Sequence, residues 1–444
     1  MNEMSSNRKI DPSRRRATTL FKPDGTPLDN DRVEIGPTDL AFNEWAALGI
    51  TPPDMPSLRE YRLSRIVGEL QKHDYAGLVT FDPLNIRYIT DTTNMQLWTT
   101  HNPARACFVS ADGYIALFDF HGGEHLSAHL PLVKEVRHGA AFFFFESAGL
   151  VEQHAKHFAE QINELMRKRS GDNRRLAVDR MERPGHDAME RLGIEIFNGQ
   201  EITELARVIK NENEVNAMRC AIAACEAAMY EMQAMVKPGI TEVDAWAILQ
   251  HGNHIRGGEW IETRILSSGP RTNPWFQEAG PRVMAEGDIL AFDTDLIGPY
   301  GYCSDLSRTW IVGDAEPSAY EKQIYRDALD HIQTNTAILK PGVKLDDLTK
   351  LSQQLPEKYK EQRYGVVFHG VGLCDEYPSI RYAPDFEDGQ HGERCLEPGM
   401  TLCVEVYYGE VGGSCGIKLE DQVLITEDGC ENLTSYPFEE RFLT

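Results

Sequence analysis

The second half of this 444-residue chain repeats itself, and the repeat limits what the chain can fold into. VKPGITEVDAWAIL at 236–249 returns as LKPGVKLDDLTKL at 339–351: an apolar residue, Lys-Pro-Gly, then a helix start. Further on, EGDILAFDTD (286–295) returns as EPGMTLCVEV (397–406), which sets Glu405 where the first copy has Asp293. SDLSRTWIV is echoed by IKLEDQVLI, and we read Glu420 as level with Asp305. Each strand-like run is apolar enough to be buried, so its carboxylate enters an interior where an unpaired charge is very costly. Two α/β units that each offer carboxylates from adjacent strands bring those groups together at a pseudo-two-fold interface. The set is Asp293, Asp295, Asp305, Glu405 and Glu420, with His369 as its one imidazole. Oxygen-rich ligands with one imidazole suit a pair of first-row divalent ions, each offsetting several carboxylates.

The length exceeds one ordinary core, so two domains are expected. With 45 Lys and Arg against 69 Asp and Glu, the formal charge is −24. That excess argues against nucleic acid or an anionic membrane as a partner. Nine cysteines show no paired C-x-x-C spacing, and several lie in apolar strands, as reduced core thiols of a cytosolic protein do. The N-terminal MNEMSSNRKIDPSRRRATT is polar and basic, without the apolar stretch of a signal peptide. The longest greasy run, AAFFFFE at 140–146, is too short to span a bilayer and is expected to be a buried strand. A cytoplasmic location is expected.

Residues 1–57 are rich in Pro, Asp and Asn and read as an extended arm. From Leu58 a helix-like stretch leads into AGLVTFDP, and ARACFVS, YIALFDF, EVRHGAAFFFFE and RRLAVDR continue a helix–strand alternation. Residues 58–205 are thus expected to form an α/β domain with a mixed sheet. Residues 206–444, opened by a long helix from about Glu212 to Val236, form the second α/β (α+β) domain.

With those residues in hand, 205–435 resembles the pita-bread fold of the creatinase, prolidase and methionine-aminopeptidase superfamily. Residues 58–205 resemble, more loosely, the creatinase-type N-terminal domain. The resemblance implies metal ligands in the chain order Asp, Asp, His, Glu, Glu. They map onto Asp293 or Asp295, Asp305 in GYCSDLSRT, His369 in FHGVG, Glu405 in CVEV and Glu420 in GIKLED. Three departures separate the chain from the peptidases. Trp275 stands where a histidine follows the SG-x-N segment. Asp375, in HGVGLCDEYP, replaces the second histidine of HG-x-GL-x-x-HE-x-P, with one residue deleted. Asp293 and Asp295 double the first carboxylate, and two residues apart on a strand they would share a face and could both bind.

This combination resembles the DddP-type dimethylsulfoniopropionate lyases. The resemblance implies a homodimeric, cytosolic, iron-dependent enzyme yielding dimethyl sulfide and acrylate from a small sulfonium carboxylate. Mn, Zn, Co and Ni remain alternatives to iron. The chemistry is a β-elimination, in which a base removes a proton beside a carboxylate while dimethyl sulfide leaves. No water needs activation, so the peptidase histidines become dispensable, and an anionic base becomes necessary. Asp375 is our choice, with burial expected to strengthen it; Glu376 competes for the role. Tyr364 is placed to hydrogen-bond the substrate or present its ring to it. The sulfonium is a fixed cation without a hydrogen-bond donor, so aromatic faces are its expected partners, with Trp98, Trp275, Phe276 and Tyr377 as candidates. Two other readings stay open: a creatinase- or Xaa-Pro-peptidase-like metallohydrolase, and a non-catalytic pita-bread binding protein. The complete ligand set argues against the second.

Overall fold

The computed structural model of the chain describes residues 8–9, 21–26 and 36–444, so part of the expected arm lies outside the described residues. It divides into two compact units: residues 1–35 with 53–207, and 36–52 with 208–444. Where an extended arm is expected, Asp39–Leu48 is a helix, capped by the Thr38 hydroxyl on Ala41 N–H. It buries Ala41 and Trp45, and the Trp45 indole donates to the Cys220 carbonyl at 3.1 Å, which ties it to the second unit.

The first unit is built on strands β1 (Arg8–Lys9), β2 (Gly77–Thr80), β3 (Ala106–Ser110), β4 (Ile115–Phe118) and β5 (Val133–Arg137). Strands β6 (Arg175–Val178) and β7 (Glu195–Asn198) complete it, in the order β1-β5-β4-β3-β2-β6-β7. β2, β6 and β7 run parallel, as do β4 and β5, whereas β3 is antiparallel to both neighbours, which makes the sheet mixed. Helix Val151–Ser170 covers it with Ala155, Phe158, Ile162, Leu165 and Met166, whose spacing of three and four places them on one face. Phe81, Phe118 and Phe142 meet Phe158 with centroids 4.9–5.4 Å apart.

AAFFFFE does not form the expected strand. Ala140, Phe142 and Phe143 are buried, but Phe144–Ser147 turns as a short helix, leaving Phe144 and Phe145 77% and 76% exposed. Strand β5 ends at Arg137, and among the described residues no neighbouring strand continues the ladder, so local β-propensity is overridden.

The second unit opens with helix Glu212–Met235, started by a capping box between Asn211 and Glu214. Its strands are β8 (Trp260–Ile261), β9 (Leu266–Ser268), β10 (Ile289–Asp293), β11 (Leu296–Ile297), β12 (Cys303–Ser304) and β13 (Ser307–Ile311). They continue with β14 (Val366–Val371), β15 (Asp375–Arg381), β16 (Thr401–Gly409), β17 (Gly416–Ile425) and β18 (Cys430–Asn432). Three sheets result: β13-β10-β9, β12-β11-β8 and β15-β14-β16-β17-β18. β13 and β17 lie side by side, because the Thr309 hydroxyl donates to the Lys418 carbonyl at 2.9 Å and accepts from its N–H at 3.1 Å.

The repeat is conformational as well as textual. The glycines of both Lys-Pro-Gly turns take positive φ, 99° at Gly239 and 83° at Gly342, and those before the ligand strands do too, 79° at Gly287 and 90° at Gly399. Single bridges, Thr241↔Val283 and Lys344↔Cys395, recur at matching places. The register corrects one expectation. Asp293 pairs with Ser307, and Glu405 pairs with Glu420. Glu420 is therefore level with Ser307, and Lys418, two residues earlier, is level with Asp305. The two echoes aligned from their first residues, Ser304 and Ile417, give that same correspondence, so the repeat and the register agree and only the reading of Glu420 as level with Asp305 changes.

Candidate functional site

Adjacent strands carry the acidic groups to one place, Asp293 from a strand end and Glu405 and Glu420 from mid-strand. Asp293 ends β10, Glu405 and Glu420 face each other across β16 and β17, and His369 lies in β14, paired with Cys403. All four and Asp305 are buried. His369 Nδ1 is 3.0 Å from the Gly370 carbonyl, which turns Nε2 toward the carboxylates. Around Nε2 lie Glu420 Oε1 at 3.3 Å, Glu405 Oε1 at 3.4 Å and Asp305 Oδ2 at 3.5 Å. Asp295 reaches the cluster by another route than the one expected. The strand ends at Asp293, and Asp295 takes φ 36°, so the two do not share a strand face. The Thr263 hydroxyl donates to Asp295 Oδ2 at 2.8 Å, and ligand oxygens of Asp293, Asp295 and Asp305 still lie within 4.8 Å of one another.

Five carboxylates in one buried space cannot all ionise unaided. Burial pushes Asp293, Asp295 and Asp305 up from the usual carboxylate range, and Glu405 up to about 8. Burial works against Glu420 too, but Lys418 and His369 hold it below its ordinary range. Burial disfavours the His369 imidazolium as well, and the charges of Asp375, Glu420 and Glu405 override it and hold its pKa high. Asp305 Oδ1, Glu405 Oε1 and Glu420 Oε1 are buried and accept no hydrogen bond. Buried carboxylate oxygens without donors are what cations between strands would satisfy, so the donor set fits the divalent ions that the sequence implies.

Two neighbours escaped the sequence reading. Lys418 is fully buried on β17, with Nζ 2.8 Å from Glu405 and Glu420 and 3.2 Å from Asp293. Burial opposes its charge, but those three carboxylates raise its pKa well above the ordinary value. It supplies one positive charge to the five carboxylates, and two divalent ions would supply the rest. Cys403 lies near Asp305, His369 and Glu420, its thiol 3.6 Å from Asp305 Oδ2. A signal existed for both: each precedes a ligand glutamate by two positions on its strand and so shares that ligand's face.

Residues 216–427 match metallopeptidase family M24. Over 440 residues the chain is 50% identical to the dimethylsulfoniopropionate lyase DddP of Roseovarius nubinhibens, covering 98% of each chain. It is also 50% identical to the DddP of Roseobacter denitrificans, over 98% of this chain and 97% of that one. The chain belongs to the DddP lyase family. A solved prolidase from Thermococcus sibiricus superposes with a TM-score of 0.69 at 20% identity, over 86% of this chain and 98% of that chain, which shows the pita-bread fold.

In this DddP-family chain the other candidates are spread unevenly. Asp375 opens β15 with Oδ1 3.7 Å from His369 Nδ1, but its side chain is 58% exposed, so the expected burial is absent. It is the first residue of an edge strand, where only one side is covered. Glu376 is buried instead: Oε2 takes Lys210 Nζ at 2.9 Å and Oε1 takes the Leu373 N–H at 3.0 Å. Those bonds engage both its oxygens in holding the turn before Asp375. Trp275 is buried against Tyr407 at 5.5 Å, with Lys418 Nζ 5.9 Å from its ring. Tyr364 has the same ammonium 5.2 Å from its ring, and the charge of Glu405 holds its hydroxyl far above the ordinary tyrosine range. Tyr377 turns to His391, whose Nδ1 is 3.2 Å from its hydroxyl. Trp98 belongs to the first unit, beside Phe120 and Phe143 at 6.0 and 6.5 Å. All nine cysteines are free thiols. Among the described residues, no helix is long and apolar enough to cross a membrane.

Proposed function

We propose that this chain cleaves dimethylsulfoniopropionate to dimethyl sulfide and acrylate by β-elimination. The observation that carries the reading is near-full-length 50% identity to two proteins named as that lyase. The residues support it independently, because the peptidase histidine positions hold Trp275 and Asp375.

Asp293, Asp295, Asp305, His369, Glu405 and Glu420 would hold two divalent metal ions, iron in our reading. When bound, such a pair supplies Lewis acidity that stabilises negative charge developing beside the substrate carboxylate. The chain's own groups do the rest. Asp375 takes the proton from the carbon next to the carboxylate. The electron pair of that C–H bond becomes the new C=C bond, and the C–S bond breaks with its pair leaving on sulfur as neutral dimethyl sulfide. Acrylate and protonated Asp375 remain, and the exposed rim position lets Asp375 return its proton to water. Lys210 and Glu376 hold the turn that presents it. Tyr364 and Trp275 border the substrate. The working form in this reading is a cytosolic homodimer.

Metal-loaded protein mixed with dimethylsulfoniopropionate should release dimethyl sulfide into the headspace, with stoichiometric acrylate. Absence of sulfide from a preparation with full metal content, together with hydrolysis of Xaa-Pro dipeptides, would replace this reading with the metallohydrolase one.

A further inference from the structure

Phe276 is placed as no ordinary surface residue is. Its ring is 65% exposed, and its backbone takes φ 69°, a left-handed conformation that non-glycine side chains rarely adopt. The loop that carries it is fastened at both ends. On one side the Tyr407 hydroxyl donates to the Thr272 carbonyl at 2.9 Å, and Asn273 Nδ2 donates to the carbonyls of Glu410 and Gly413 at 2.8 and 3.1 Å. On the other, Glu278 bridges to Ile265, beside β9. Between these anchors the chain sends Trp275 inward against Tyr407 and Phe276 outward. Backbone strain persists only where the surroundings impose it, and it collects at ligand-contacting positions.

The direction of that ring links it to the site. Phe276 lies 5.4 Å from Tyr364, ring to ring, at 38°. Tyr364 in turn has Lys418 Nζ 5.2 Å from its ring, and Lys418 contacts Glu405 and Glu420 at 2.8 Å. Carboxylates, ammonium, tyrosine and phenylalanine thus form a continuous line from the buried cluster to the surface. The inner aromatic surfaces already face a cation of the protein, whereas most of the Phe276 ring faces solvent. A substrate whose carboxylate enters the cluster and whose permanent cation trails two methylenes behind would bring that cation to the outer rings.

We propose that Phe276, backed by Tyr364, is the specificity-determining wall for the sulfonium end of the substrate. This rests on the lyase reading above. The ring face attracts a soft, weakly hydrated cation that offers no hydrogen-bond donor, and the strained backbone holds that face outward before the substrate arrives. Recognition is by charge as well as by shape.

The test uses the metal-loaded full chain with Phe276→Leu, Phe276→Tyr and Phe276→Gly. 4-Methylpentanoate serves as a competitive inhibitor, since it replaces the dimethylsulfonium by an uncharged isopropyl group. Phe276→Leu should raise KM for dimethylsulfoniopropionate about 3- to 30-fold while kcat changes little, from the usual strength of a cation on an aromatic face. Its inhibition constant for 4-methylpentanoate should stay within about twofold, because apolar bulk is kept. Phe276→Tyr should retain near wild-type KM. Phe276→Gly should lose recognition yet melt at a higher temperature, because glycine relieves the positive φ. Equal weakening of substrate and neutral isostere in Phe276→Leu, or no change in either, would overturn the proposal. Wild-type protein that binds metal and releases no dimethyl sulfide would instead remove the lyase reading beneath it.

Discussion

In the proposed mechanism Asp375 would do the hardest chemistry from an exposed position. An aspartate is a weak base toward a carbon acid, and this one has a side chain 58% exposed. The geometry offers precision instead: the turn before it is tied by the buried Lys210–Glu376 pair, and Oδ1 sits 3.7 Å from His369 Nδ1. Asp375→Asn should therefore lower kcat by about 10²- to 10⁴-fold, the usual worth of a positioned base. Melting and metal content should stay near wild type, since an exposed isosteric change costs at most about 0.5 kcal/mol. Headspace sulfide assays and a melting curve check both, and full turnover in the variant would exclude Asp375 as the base. Glu376→Gln should behave in the opposite way. Removing one partner's charge from a buried pair costs about 3–5 kcal/mol, so stability falls first, read as a lower denaturant midpoint.

At the scale of elements, the duplicated turns make a matched experiment. Gly342 and Gly399 both take positive φ, at 83° and 90°. A Cβ at Gly342 meets nothing within 4 Å, but one at Gly399 would sit 2.7 Å from the Lys210 carbonyl oxygen. Gly342→Ala should cost about 1–2 kcal/mol, the price of a left-handed L-residue alone. Gly399→Ala should cost more, because the backbone beside the Lys210–Glu376 pair must shift as well. Urea unfolding of the two variants compares them directly, and equal costs would show that the Gly399 contact relaxes freely. The same turns explain why the repeat was readable: Lys-Pro-Gly and Gly before an apolar run are local signals, set by φ preferences of single residues. The short helix at Phe144–Ser147 was not readable, because its conformation depends on a sheet that ends before it.

For the whole molecule, the acidic cluster and the core should respond to different conditions. Five buried carboxylates with one internal lysine form an unstable charge set when metal is stripped. Chelation should lower the melting temperature, and re-addition of a divalent ion should restore about 3 kcal/mol per site at a hundredfold excess over Kd. Scanning fluorimetry with Fe(II), Mn(II), Zn(II) and Co(II) ranks the ions, and an unchanged melt after verified metal removal would argue against the cluster as a metal site. Away from the cluster, His331 is fully buried, its Nδ1 and Nε2 at 2.9 and 3.1 Å from the hydroxyls of Tyr408 and Tyr382. Burial pushes it from the ordinary 6.5 down to about 4. Below 6.5 the unfolded chain binds a proton that the folded one refuses, so stability present above that pH is lost as pH falls toward 4, by about 3 kcal/mol in all. His331→Gln should flatten that acid limb, seen as a shallower loss of melting temperature between those values.

What the sequence determined by itself was the inventory: two α/β halves, a duplicated second half and a candidate ligand set of five carboxylates and one histidine. Those follow from residue type and spacing, which act locally and survive without a partner surface. Tertiary structure decided the rest. It set Asp293 across from Ser307 and Glu405 across from Glu420, because strand pairing fixes which residues face each other. It brought Lys418 against three carboxylates: the spacing of two puts it on the same face as Glu420, but Asp293 and Glu405 reach it from other strands. It left Asp375 at the rim and buried Glu376, although adjacent acids in one turn look alike in sequence. Burial and charge pairing are properties of the packed molecule, so only packing could tell the two neighbouring acids apart.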